Sequence, residues 1–174
     1  MKRRTALHVL LAAMALLGTP AMAATTQAPA NVTVSYDHPE QFTETHKVRA
    51  LAPVHGDQSY LKTLKTYIER RAGRMLPPGE RLDIVVTDID RAGNFEPWRR
   101  GPLREVRIIK DIYPPRIDLR FRLLDASGKV LRDGTRKLRD PGFLADSGTP
   151  SDTDNLRYEK RLIDRWLSKG PDRL

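Results

Sequence analysis

No cysteine occurs among the 174 residues, which excludes disulfides, thiolate chemistry and the acylated cysteine of a lipoprotein. Stability must come from packing. Aromatic residues make up only 6% of the chain. The apolar run from Ala6 to Leu17 is too short for a stop-transfer helix, and no later segment approaches the roughly 20 apolar residues that span a bilayer. There is no Gly-rich phosphate loop, no Gly-x-Ser-x-Gly elbow and no His-Glu-x-x-His run, so neither nucleotide-loop, serine-nucleophile nor zincin chemistry has a motif to rest on.

What the N-terminus does hold is an address. Lys2-Arg3-Arg4 precedes the apolar run, and Ala21-Met22-Ala23 follows it as a small-x-small site, the pattern of a secretory signal peptide cleaved after Ala23. Thr5-Ala6-Leu7 after the arginines is a poor twin-arginine match, so the general export route is expected. The mature chain is expected to be periplasmic and without a transmembrane segment. Loss of residues 1–23 removes three basic and no acidic residues, which lowers the formal charge from +9 to +6. A basic exported domain favours encounters with anionic envelope components and makes nucleic acid an improbable partner.

Residues 24–30 read as a flexible leader, 31–169 as a single domain and 170–174 as a C-terminal tail. The domain is organised around Arg116 to Leu124, where Ile117, Leu119, Phe121 and Leu123 alternate with Arg116, Asp118, Arg120 and Arg122. That period of two predicts a half-buried strand. Further strands are expected at Val32–Tyr36, Arg81–Asp88, Glu105–Tyr113 and Lys129–Leu138, with a turn at Asp125 to Gly128 and a bulge at Gly134. Leu61, Leu64, Ile68, Ala72 and Met75 recur at helical spacing behind Ser59 as N-cap, and Tyr158, Leu162, Ile163 and Trp166 do so behind Asp154 or Asn155. Residues between the first strand and Gly56 read as a polar loop with one short extended piece at 47–51. The fold expected is α+β: a mixed or mainly antiparallel sheet of about five strands with two helices packed on one face.

Several runs together resemble one bacterial family: Thr87-Asp-Ile-Asp90, Ala92-Gly93, Phe95-Glu-Pro-Trp98, Ile109 to Asp118, Arg136 to Asp140 and Leu156 to Lys160. The chain is similar from about Val32 to Trp166 to the family known as domain of unknown function 3016. The resemblance implies an exported domain of a Gram-negative bacterium and supplies no catalytic residue, substrate or cofactor.

Three sets of residues bear on chemistry. His38, His46 and His55 fall in one polar segment beside Asp37, Glu40 and Glu44, so a metal site is conceivable, but their spacing matches no tight metal-ligand pattern. Asp88 and Asp90, two apart at a strand end, place both carboxylates on one side and could hold a divalent cation; the plainer reading is that Asp90 opens a turn. Arg116, Arg120 and Arg122, joined by Arg107, form either an anion-binding surface or an ordinary wet sheet face. The loop 91–104 sets Phe95, Glu96, Trp98 and Arg99 among glycines and prolines, either as a contact surface or, through Phe95 and Trp98, as a lid on the core. No cofactor is expected. The function these features favour is non-enzymatic binding of a protein or an anionic envelope component. The alternatives are a divalent-cation-dependent hydrolase using Asp88, Asp90 or Glu96, and a small-molecule carrier with an apolar cavity.

Overall fold

The computed structural model describes residues 31–51, 58–145 and 153–174; the expected signal peptide, the leader and His55 lie outside them. The fold is α+β. A mixed four-stranded sheet runs in the order β1 (Val32–Tyr36), β2 (Arg81–Asp90), β5 (Arg116–Leu124), β6 (Val130–Arg139), and a two-stranded sheet pairs β3 (Asn94–Phe95) with β4 (Arg107–Ile108). β1 is parallel to β2, and the remaining pairs are antiparallel. The helices are α1 (Thr43–Leu51), α2 (Ser59–Gly73) and α3 (Arg157–Leu167).

The alternation in β5 becomes burial. Ile117, Leu119, Phe121 and Leu123 are all at most 3% exposed, while Arg116, Arg120 and Arg122 face water. Leu82, Ile84 and Val86 of β2 bury beside them, as do Leu64, Ile68 and Ala72 from α2 and Leu162, Ile163 and Trp166 from α3. Phe121 and Trp166 meet at 6.0 Å between ring centroids. β6 is mostly exposed and rich in arginine and lysine, a composition that discourages pairing of another strand along an open sheet edge.

Four expectations are corrected. The extended run at Glu105–Tyr113 does not join the main sheet, because β2 and β6 already occupy both hydrogen-bonding edges of β5; Gly101–Glu105 forms a 3-10 helix and only Arg107–Ile108 is strand. The main sheet therefore has four strands rather than five. The segment at 47–51 is helical rather than extended, and α1 is a third helix, held from outside: Asp88 accepts hydrogen bonds from the Thr43 backbone N–H at 2.7 Å and its hydroxyl at 2.8 Å. A carboxylate so placed satisfies an orphan N–H of the first turn and favours the positive end of the helix dipole. Bulges fall between Val86 and Asp88 and between Leu123 and Leu124, not at Gly134. Gly134 pairs in register with Phe121, and a side chain there would stand 3.4 Å from the Phe121 ring and 3.3 Å from the Arg136 guanidinium that stacks on it. Finally, Ser59 opens α2 without capping it; Gln58 holds the cap position with no side-chain bond.

Two details agree with local turn chemistry. Asp125 Oδ1 accepts from the N–H of Ser127 and of Lys129 around Gly128, and Asp154 Oδ1 accepts from the Leu156 N–H; neither Asp154 nor Asn155 caps α3, whose cap position Leu156 holds with no side-chain bond. At the C-terminus Pro171–Arg173 forms a 3-10 helix, and Leu174 is buried with its carbonyl accepting from Arg136.

Candidate functional site

The segment joining β2 to β5 has a pinned root and an exposed outer part. At its start Gly93 adopts φ +83° while its N–H donates to the Tyr113 carbonyl at 2.9 Å. A Cβ there would lie 2.6 Å from Ile109 Cδ1 and 2.8 Å from the Ile108 carbonyl oxygen. Only glycine permits both the left-handed turn and that approach.

Arg107 ties the root to the body. Its guanidinium pairs with Glu44 of α1, donates to the Gly93 carbonyl at 3.2 Å and stacks 4.7 Å over the Phe95 ring. Glu44 is 1% exposed and also accepts from the Arg91 N–H at 3.3 Å. Burial disfavours the charge on Arg107, and Glu44 opposes that effect. On the other side Glu159 of α3, again 1% exposed, accepts from the Ala92 N–H at 2.7 Å. Its burial pushes the carboxyl above the usual range, against the pull of that N–H and of Arg91. Tyr60, whose ring carries the Arg91 guanidinium at 5.3 Å, has its phenol pushed up to about 12, first by burial and then by Glu44. The Tyr60 hydroxyl, Arg91 Nε and Glu159 Oε2 are buried with no hydrogen-bond partner among the described residues. A cavity of about 450 Å³ opens beside this cluster, lined by Tyr60, Arg91, Phe95 and Arg107 among others.

The raised Glu159 carboxyl sets a pH dependence. Because the folded state holds this proton to higher pH than the unfolded chain does, the stability linked to it is present in acid and is lost as pH rises above the unfolded carboxyl range of about 4. Glu159→Gln keeps an acceptor for Ala92 and removes the titration. Its melting temperature relative to the unmodified protein should therefore climb between about pH 4 and pH 8. A difference that stays flat across that range contradicts the raised carboxyl.

A second clamp lies farther along. Glu96 is 1% exposed and accepts from Arg99 Nε and Lys110 Nζ, both at 2.5 Å, and from the Tyr113 hydroxyl at 3.3 Å. The Lys110 and Arg99 hydrogen bonds hold its carboxyl below the ordinary range. Outside the two clamps the side chains are bare: Trp98 is 70% exposed, Ile112 67%, Leu103 49%, Val106 46% and Ile109 37%.

The residues singled out from sequence are divided by this geometry. Phe95 is 8% exposed and belongs to the root, whereas Trp98 is outside it, so the two do not close the core as one lid. Glu96 and Arg99 pair with each other. Asp88 and Asp90 lie against one side of α1, Asp88 at Thr43 and Asp90 at Lys47 four residues on, with Lys47 Nζ 2.6 Å from Asp90. Arg116 closes on the same Asp90. Arg120 pairs with Asp37 at 2.8 Å, and Arg122 sits in register between Asp83 and Asp133. His38 lies beside Glu40 and Asp37, and no group of three potential metal ligands occurs among the described residues. From sequence Glu44 stood only beside the loop histidines, not opposite Arg107, and Glu159 was missed. Glu159 left a signal: with Leu162, Ile163 and Trp166 it occupies positions i, i+3, i+4 and i+7, a carboxylate on the apolar stripe of a helix.

A family model described as a protein of unknown function, DUF3016, matches residues 30–169. Comparison with the curated proteins and with the solved structures gives no match.

Proposed function

The chain belongs to the DUF3016 family, a family described only as of unknown function, and from that premise we propose that it is an exported, non-enzymatic binding module of the cell envelope. Its contact surface is the outer part of residues 98–112. The observation that carries this reading is the exposure of Trp98 and four aliphatic side chains on a segment whose root is fixed by the Glu44–Arg107 and Glu96–Lys110 pairs. Exposed apolar side chains close together in sequence on a braced loop favour an interaction site, and tryptophan is prominent among binding hot spots. Export is supported by the charged start, the apolar run and the Ala21-Met22-Ala23 site, all of which precede the residues the family model matches.

The hydrolase alternative is weaker because its carboxylates do not converge. Asp88 caps α1, Asp90 is held by Lys47 and Arg116, and Glu96 by Arg99 and Lys110. A cation at Asp90 or Glu96 would displace an ion pair already made, and one at Asp88 would compete with the two hydrogen bonds from Thr43. The carrier alternative needs an apolar cavity between helices and sheet, where Leu64, Ile68, Phe121 and Trp166 already pack.

Trp98→Ala provides the test. Truncating an exposed side chain should leave stability within about 0.5 kcal/mol, so the variant is expected to melt with the unmodified protein while its crosslinked capture of envelope components falls. A melt many degrees lower, or undiminished capture, overturns the reading.

A further inference from the structure

We propose that the surface formed by Trp98, Leu103, Val106, Ile109 and Ile112 docks on an anionic lipid bilayer, an inference that rests on the reading of this segment as the contact surface. The segment 94–113 carries five basic residues, Arg99, Arg100, Arg104, Arg107 and Lys110, against three acidic ones, Glu96, Glu105 and Asp111. Glu96 is buried and saturated by Arg99 and Lys110. Arg100 and Arg104 are exposed and make no ion pair within 4 Å among the described residues; Glu105 and Asp111 are exposed likewise, and the segment as a whole is net +2. Apolar side chains are thus interleaved with cationic ones, on a chain whose formal charge is +9, or +6 once residues 1–23 are lost.

The combination fits a lipid surface better than a protein face. A stable protein interface uses about 20–30 residues a side, whereas here five apolar side chains stand on fifteen residues. Membrane association succeeds with a small apolar area when a basic patch adds a second attraction. Tryptophan suits the headgroup level, with its ring in the acyl boundary and its N–H among polar groups, and arginine stems can lie along the same boundary with the charge outward. Near an anionic leaflet each basic residue strengthens binding about fivefold. No helix among the described residues is long and apolar enough to cross a membrane, so the contact is peripheral, by side chains alone.

The two tryptophans make the test local. Trp166 is 2% exposed and Trp98 is 70% exposed, so a change in emission on binding reports the segment. The full chain is titrated with vesicles of phosphatidylglycerol, and separately of phosphatidylcholine. Expected on phosphatidylglycerol is a blue shift, quenching by brominated acyl chains, and reversal at about 0.5 M salt. Trp98→Phe should abolish the shift, and Arg100→Glu with Arg104→Glu should raise the lipid needed for half-saturation about 20-fold or more. Residues 1–23 are common to every variant, so the difference between the unmodified chain and the Arg100→Glu with Arg104→Glu variant reads the segment and not the N-terminus. No shift on phosphatidylglycerol at low salt, or an equal shift on phosphatidylcholine, overturns the lipid assignment. If in that case Trp98→Ala still loses capture of a protein from envelope extracts, the contact surface stands with a different partner; if it loses nothing, both readings fall.

Discussion

Arg107→Met is expected to lower stability by about 3–5 kcal/mol, roughly 10 °C or more in melting temperature for a domain of this size. The reason is what it leaves behind. Glu44 is 1% exposed and has Arg107 as its charged partner, so the substitution strands a carboxylate away from water. The same change removes the guanidinium from the Phe95 ring and from the Gly93 carbonyl. Glu44→Gln together with Arg107→Met should recover part of the loss, because the uncompensated charge is then gone; couplings of about 0.5–3 kcal/mol are usual for residues in such contact. The pair is the test. If the double variant is as unstable as the sum of the two singles, Glu44 and Arg107 act independently and the root of the segment is not held by their charges.

Phe121→Ala should cost about 3–5 kcal/mol, whereas Arg120→Ala, one residue away, should stay within about 1 kcal/mol. Phe121 is 1% exposed, packs against Trp166 at 6.0 Å with the ring planes tilted by 60° and lies under Arg136 at 5.0 Å. Its removal opens a void that both α3 and β6 line, and neither can collapse without leaving its place on β5. Arg120 faces water and meets Asp37 in a pair whose two side chains are 57% and 38% exposed, where solvent screens most of the attraction. Equal shifts of the denaturant midpoint for the two variants would contradict the assignment of β5's faces.

The elements legible in sequence were those whose own residues carry a complete period. β5 alternates over nine residues and α2 repeats its apolar stripe over four turns, so each fixes its buried face before any neighbour is known. The Asp125–Gly128 turn belongs to the same class, because its hydrogen bonds stay within a few residues. α1 did not, because its stripe is weak and its cap arrives from Asp88, 45 residues on. The run 105–113 has branched residues suited to a strand, but a strand needs an edge, and none was left beside β5.

The same division runs through the candidate site. By itself the sequence determined the α+β class, the core face of β5 and the concentration of Trp98 and Arg99 in a glycine- and proline-rich connection, all consequences of local period and turn chemistry. Tertiary structure alone decided which side chains there are free. Glu96 is consumed by Lys110 fourteen residues away, Glu44 by Arg107 at 63, and Glu159 by the Ala92 backbone at 67. Trp98 remains exposed while Phe95, three residues before it, is buried. Burying a charge obliges the fold to find it a partner, and over such separations that partner is chosen by how the elements pack rather than by the neighbouring letters of the chain.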